Sequence, residues 1–374
     1  MTKYPFIPVN IPLVDGNEKK YLNECIDTGW ISSEGPFVNQ FEDQFASRVQ
    51  RNFAVAVSSG TAALDVAVEA LRIGSGDEVI IPAFTIISCI GQVIRSGATP
   101  VLVDCDPLTW NMDINKVEEK ITENTKAIMV VHIFGLPVDI EPLLEIAKNN
   151  NIKIIEDAAQ MLGQTYNEKP CGSFGDISTF SFYPNKLITT GEGGMLVTND
   201  EQLADDCRSL RNLCFQPKKR FVHERLGCNY RMTNLQAALG LAQLERLDEF
   251  VQRKRSMGKK YTQGLRMLKG VQLPLAKTDY AENNFWVFGL VLDNSIGFDA
   301  EEAMKMLGEK GIGCRPFFCP MNQQPVLRGM GFFLNECYPV AERLYKQGFY
   351  VPSGMALTSE HINQVTKKLI EVLK

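Results

Sequence analysis

Histidine is scarce: His132, His223 and His361 are the only three in 374 residues, and they stand far apart in no ligand-spaced motif. That argues against a protein-bound transition metal. None of the ten cysteines forms a CxxC pair. Scattered in this way they read as small buried hydrophobes of a reducing compartment rather than as disulfide partners. No apolar run reaches the ~18 residues needed to span a bilayer. The opening stretch MTKYPFIPVN lacks the charged region and apolar core of a secretory signal. Basic residues are in the minority, with 39 Lys+Arg against 44 Asp+Glu and a formal net charge of -5. This excludes a nucleic-acid binder held by a basic face. The expectation is a soluble, cytoplasmic chain whose partners include neither nucleic acid nor membrane.

Hydrophobic residues make up 45% of the chain, and the length suggests about two domains with proper cores. Short, nearly continuous apolar runs recur at Ala54–Ser58, Glu78–Pro82, Pro100–Asp104, Lys126–His132 and Ile152–Asp157. Strands covered on both faces of a parallel sheet have this character. Helical patterns such as Thr61–Arg72 and Ile140–Asn149 alternate with them, which predicts an α/β fold with a mostly parallel central sheet. Two further strands, Ser178–Phe182 and Gly194–Thr198, flank a glycine-rich turn. Val38, Phe41, Phe45 and Val49 mark an amphipathic helix, and Asn234–Arg255 reads as one long helix. From about Val271 the pattern changes to strand-like Phe285–Leu292 and helices Ala300–Lys310 and Ile362–Leu373, which suit a smaller α+β domain. The expected division is therefore a large domain over 1–255, including the N-terminal segment, and a small one over 256–374.

Four segments carry candidate chemistry. Ser58-Ser59-Gly60-Thr61-Ala62-Ala63-Leu64 follows a strand and opens a helix, where unpaired amides can bind a phosphate or be satisfied by a Ser59 or Thr61 cap. Ile154 to Gln160 runs a buried-type strand straight into Glu156 and Asp157, at the edge where open α/β sheets place ligands. Asp157 there could hold a protonated ring nitrogen, while strand alternation points Glu156 the other way. Ser181-Phe182-Tyr183-Pro184-Asn185-Lys186 continues into Gly191-Glu192-Gly193-Gly194-Met195. A lysine crowded between a strand and a glycine turn loses its proton readily, as a Schiff-base amine must. The fourth segment is Gly227-Cys228-Asn229-Tyr230-Arg231-Met232, continuing to Gln236-Ala237-Ala238.

Together, SGTAAL, EDAAQ, SFYPNK, GEGGM and the GxNxRMxxxQAA stretch resemble the DegT/DnrJ/EryC1/StrS family, the pyridoxal-phosphate (PLP) sugar aminotransferases of aspartate-aminotransferase-like fold. The resemblance runs from about Ile11 to the C-terminus. It implies PLP fold type I, PLP cycling through pyridoxamine phosphate, and a homodimer with shared active sites. Lys186 is implied as the covalent anchor, Asp157 as partner of the pyridine nitrogen and Gln160 as neighbour of the ring oxygen. The Gly60 and Thr61 backbone and the Ser181 hydroxyl would bind the phosphate, and Asn229 would reach the neighbouring subunit's cofactor. Ile86 stands where many members carry an aromatic or histidine over the ring, so it could cover that face by dispersion without stacking.

The family's dehydratase branch has histidine at the lysine position, so Lys186 implies transamination, with L-glutamate as donor. The stretches around Trp30 and Arg315 look like those of the 4-aminotransferase branch that includes GDP-perosamine synthase. That branch acts on C4 of a nucleotide-linked 4-keto-6-deoxyhexose. Asn322, where that branch often has histidine, leaves UDP- or dTDP-linked sugars and a 3-aminotransferase as alternatives. Trp30, Arg315 and the basic run Lys218-Lys219-Arg220 are the candidate sugar-nucleotide contacts, the last for a diphosphate.

Overall fold

Burial on both faces turns the apolar runs into the middle of a sheet. The computed structural model describes residues 6–216 and 218–374. Helices α1 (Glu18–Thr28) and α2 (Pro36–Arg48) lead into β1 (Phe53–Val57), α3 (Gly60–Ala70), β2 (Glu78–Pro82), α4 (Ile87–Arg95) and β3 (Thr99–Val103). Then come β4 (Thr125–Val131), α5 (Ile140–Asn149) and β5 (Lys153–Asp157). A short hairpin of β6 (Thr165–Tyr166) and β7 (Lys169–Pro170) precedes β8 (Ile177–Ser181) and β9 (Gly194–Thr198). Seven strands form one sheet in the order β1-β9-β8-β5-β4-β2-β3. Only β9 opposes its neighbours; the other pairings are parallel. This is the mostly parallel α/β sheet that the alternation of strand and helix patterns predicted.

Helix α2 shows why the site's main loop is firmly seated. Pro36 fits the first turn, where its missing N–H costs nothing. The apolar face then buries Phe41 and Phe45 against Phe180 and Phe182, with ring centroids 4.9–5.8 Å apart. Each fully buried phenylalanine contributes about 1.5–3 kcal/mol. Phe182 directly follows β8, so this cluster fixes where the segment carrying Lys186 leaves the sheet.

The predicted single helix from Asn234 is two: after α6 (Glu201–Leu210) the chain forms α7 (Asn234–Leu244) and α8 (Leu247–Leu265). Side-chain pairing marks the break. Glu245 accepts hydrogen bonds from Asn17 and Tyr21, and Arg246 pairs with Asp15 and Glu249. Helix α8 passes unbroken through residue 255 and leads to β10 (Val271–Gln272), β11 (Phe288–Leu292), α9 (Ala300–Glu309) and β12 (Arg315–Pro316). Helices α10 (Pro325–Gly329) and α11 (Pro339–Gln347), β13 (Gly348–Val351) and α12 (Ser359–Val372) complete the chain. The second sheet, β10-β11-β13-β12, is antiparallel throughout. Strand β11 starts three residues later than the sequence pattern suggested, because Phe285 has a left-handed φ of 53° and its N–H goes to Asn283 Oδ1 at 2.7 Å. The N-terminal segment joins this smaller unit: Ile7 bonds to Gly311 and Gly313, and the Val9 carbonyl accepts from Ser353. No described helix is long and apolar enough to cross a membrane.

Candidate active site

The carboxyl ends of β5 and β8 converge with the start of α3, as parallel topology requires of a ligand crevice. They enclose a cavity of about 390 Å³ lined by Ser59, Gly60, Thr61, Asp157, Gln160, Ser181 and Lys186 among others. An open basin of about 570 Å³ elsewhere, lined by Arg208, Arg211, Arg220 and Arg231, is larger. The smaller cavity is nonetheless the reactive one, because it alone joins a buried amine to a buried carboxylate.

Lys186 sits in the loop between β8 and β9. Its own amide bonds the Tyr183 carbonyl at 2.8 Å, and the loop is closed by Phe182 N–H to Gly193 O (2.8 Å) and Thr190 N–H to Phe182 O (3.0 Å). The side chain opens to the cavity but is otherwise surrounded by protein. Burial pulls its ammonium down to about 8, against the opposing influence of Asp157 and Cys89. Asp157 is 4% exposed. Burial pushes its carboxyl up, while the Ala159 amide, the Cys89 thiol and Lys186 favour the charged form. Its Oδ1 accepts from Ala159 N–H at 3.0 Å and its Oδ2 from the Cys89 thiol at 3.2 Å. Burial also keeps Cys89 a thiol, and therefore a donor. Gln160 is held by the Phe134 N–H, which donates to its Oε1 at 2.6 Å.

Glu156 points away, as strand alternation predicted, and ends in a separate polar cluster. Its oxygens accept from Gly172 N–H (2.6 Å), Phe174 N–H (3.0 Å), the Ser178 hydroxyl (2.8 Å) and His132 Nε2 (3.1 Å). His132 Nδ1 accepts the Val138 N–H at 3.0 Å, so in the neutral ring Nε2 carries the proton. Cys171 completes a His-Glu-Cys group with metal-ligand chemistry. The donors already on Glu156 and both nitrogens of His132 are used in holding strands together, which accounts for the cluster without an ion.

The residues fit PLP. At the start of α3 the helix geometry leaves the Gly60 and Thr61 amides without carbonyl partners, while Ser59 Oγ takes the Ala62 N–H at 3.0 Å. The cap and the anion cradle thus coexist. A Cβ at Gly60 would come within 2.7 Å of Ser181 Cβ, so only glycine lets the loop close on this side. The Thr179 hydroxyl, buried on the same wall, has no protein partner. Ile86 lines the opening, where it can cover an apolar face. Gly194 supports the cradle from behind, since a Cβ there would lie 2.4 Å from Ser59 O and 2.9 Å from Gly60 N. Gly194→Ala is expected to weaken PLP binding roughly tenfold, about 1.4 kcal/mol. Titrating the cofactor-free variant by absorbance checks this.

The other predicted contacts lie elsewhere in the protomer. Asn229 is exposed and bridges Asn212, outside the Lys186 cavity. Its motif nevertheless runs beside the cradle: Ser58 N–H bonds Tyr230 O at 2.8 Å, and Gln236 Nε2 bonds Glu192 O at 2.7 Å. Trp30 is exposed and offers its carbonyl to Asn234. Lys219 is exposed, and Arg220 stacks on Phe215 at 5.0 Å, lining the arginine basin. Arg315 is exposed on β12. Asn322 is buried, donating to Glu342 at 2.8 Å, and does not line the cavity. Sequence reasoning missed Cys89, Trp286, Phe318 and Tyr350. Cys89 was visible only as a free cysteine four residues after Thr85, and the three aromatics arrive from the second sheet's half of the chain.

Residues 12–370 match the model of the DegT/DnrJ/EryC1/StrS aminotransferase family. The chain is 43% identical over 375 residues to GDP-perosamine synthase of Caulobacter vibrioides, covering 100% of both. It is 41% identical over 366 residues to the protein of that name from Escherichia coli O157:H7, covering 98% of both. Among solved structures it is similar to the aminotransferase TlmJ from Streptoalloteichus hindustanus, with a TM-score of 0.91, 28% identity and 98% of each chain covered. The PLP form of Spr1654 from Streptococcus pneumoniae gives a TM-score of 0.90 at 27% identity, covering 99% of this chain and 98% of that one.

Proposed function

Because the chain belongs to the DegT/DnrJ/EryC1/StrS aminotransferase family, we propose that it moves an amino group from L-glutamate to C4 of a GDP-linked 4-keto-6-deoxyhexose. The cofactor is PLP, which when bound serves as electron sink and carries the amino group between the two substrates. The observation that carries the transfer chemistry is the Lys186 amine and Asp157 carboxylate sharing one cavity beside the open amides of α3. The substrate choice is supported by 41–43% identity over nearly the whole chain to two GDP-perosamine synthases.

In this reading Lys186 Nζ is the nucleophile that anchors the cofactor. Once displaced by the donor, the same nitrogen takes a proton from the donor's α-carbon as general base and later returns one as general acid. A proton affinity lowered by burial to about 8 suits both roles near neutral pH. Asp157 holds positive charge at the ring nitrogen. Gly60, Thr61 and Ser181 grip the phosphate, Gln160 faces the ring oxygen and Ile86 shields the open face from water.

The homodimer with shared sites, and the division near residue 255, belong to this proposal. Exposed apolar side chains support a second copy: Phe221 is 81% exposed and Leu226 92%, in the loop that carries Lys219 and Arg220. That loop would present its cations, and Asn229 after it, to the partner's site, with Trp30 and Arg315 at the sugar-nucleotide entrance. Lys219→Ala with Arg220→Ala should raise KM for the sugar nucleotide about tenfold, from the loss of a charge-assisted contact, and leave KM for glutamate unchanged. Steady-state kinetics with each substrate varied decides it, and an equal rise in both would dismiss the contact.

The test of the function is spectroscopic and chemical. The visible band of the lysine-bound cofactor should bleach with glutamate and return only with the true acceptor. Nitrogen from labelled glutamate should appear at C4. Return of the band with UDP- or dTDP-linked keto-sugars alone, or label at C3, would overturn the substrate assignment.

A further inference from the structure

Lys254, in the middle of α8, is a buried ionisable group that the transfer chemistry does not use. It is 2% exposed, and among the described residues no carboxylate pairs with it. Its nitrogen donates to the Trp286 carbonyl at 2.7 Å and to the Ser353 carbonyl. Burying an amine against two carbonyls is costly compared with filling the same space by an apolar side chain. Its position therefore calls for a reason, and Trp286 supplies one. The Trp286 indole N–H donates to the Asn185 carbonyl at 2.8 Å, one residue before Lys186. The same ring lies 4.3 Å from Lys186 Nζ. An aromatic face at that distance attracts a cation, most strongly when water is excluded.

We propose that Lys254 is a positioning residue for the transfer site: it fixes the backbone of Trp286 so that the indole face orients Lys186 and favours its charged form. This rests on the reading of Lys186 given above. The second carbonyl adds rigidity, because Ser353 Oγ receives the Phe288 N–H at 2.9 Å and donates to Val351 O at 2.7 Å. Lys254 thereby ties α8, the start of β11 and the end of β13 to one point. Burial pulls Lys254 itself down to about 7, and the neutral amine still donates to both carbonyls. The ionisable groups around Lys186 are Asp157 from β5, Cys89 from α4, Tyr350 from β13, and Tyr183 and Glu192 from its own loop. They act on it through charge and hydrogen bonding, whereas Trp286 acts through a ring face held from behind.

The test measures Lys186 directly in the full-length, cofactor-free protein. Acylation with an amine-selective reagent over a pH series, followed by peptide mapping, gives the midpoint at which Lys186 becomes reactive. The wild-type midpoint should lie at about 8. Trp286→Leu should lower it by about half a unit to one unit, since the cation loses its aromatic partner. Trp286→Phe should restore part of that shift. Lys254→Met should move the midpoint in the same direction, and Lys254→Gln, which keeps a donor, should recover part of it. In the Lys254→Met/Trp286→Leu pair the shift should not exceed that of Trp286→Leu alone, because both act through one ring. An unchanged midpoint in the Lys254 variants, whatever their melting temperature, would overturn the proposal. So would shifts that simply add. Should Lys254→Met fail to fold, Lys254→Gln and the two Trp286 variants carry the same comparison. Borohydride trapping of PLP on the wild-type protein tests the underlying reading independently, so the two can fail separately.

Discussion

Lys186→Ala is expected to lower kcat/KM for amino transfer by at least ~10⁴-fold, since it removes both the anchor nucleophile and the group that moves the proton. Lys186→Arg should do no better, because a guanidinium does not give up its proton in this range. The measurement is labelled nitrogen appearing in the sugar nucleotide, at enzyme concentrations high enough to see residual turnover. Activity within tenfold of wild type would remove Lys186 from the chemistry. The wild-type protein offers a complementary signature. Its amine is held down to about 8 chiefly by burial, so the free base is the minor form at pH 7 and the major form above 8. Attachment of PLP to the cofactor-free protein should accelerate as pH rises through about 8. An exposed lysine would need to approach 10.4. Stopped-flow absorbance distinguishes the two.

Much of this site could be read from the sequence because its parts sit at fixed offsets from strands. Asp157 closes a strand that is apolar on both faces, and Lys186 follows the next parallel strand by five residues. Their convergence is a consequence of parallel topology. Glu156 and Asp157 could be told apart from strand alternation alone. What stayed hidden depends on contacts between distant segments. Cys89 meets Asp157 across 68 residues, and Trp286 reaches Asn185 across 101. No periodicity carries that information. The break between α7 and α8 was equally invisible. It is set by Asp15, Asn17 and Tyr21 from the start of the chain rather than by a helix-breaking residue at Glu245 or Arg246.

The two carboxylates at the end of β5 show how neighbouring residues acquire different work. Glu156 is fully sequestered and surrounded by donors, including two backbone amides, so its charge is spent on cohesion. Arg51 stands close by, giving its guanidinium to the Gly172 and Gly175 carbonyls at 3.0 Å. Asp157 has only one amide and one weak thiol donor. A carboxylate so sparsely satisfied in a dry site retains capacity for a cation.

Asp157→Asn should therefore lower kcat on the order of 10²–10³-fold, the range seen when a preorganised electrostatic partner of the reacting group is removed. Asparagine keeps the shape and can still accept from the Ala159 amide, so folding should survive and the loss should be one of charge. A second effect runs the other way. Asp157 raises the proton affinity of Lys186, and its neutralisation should move the Lys186 midpoint below about 8. At pH 7 the cofactor-free variant should then capture PLP faster than wild type while transferring nitrogen far more slowly. A general loosening of the cavity would slow both steps, and an irrelevant Asp157 would leave both alone. Measuring capture by stopped flow and transfer by labelled glutamate on the same preparation separates these outcomes. Transfer above a tenth of the wild-type rate would mean that the positive charge on the bound ring is held by some group other than Asp157.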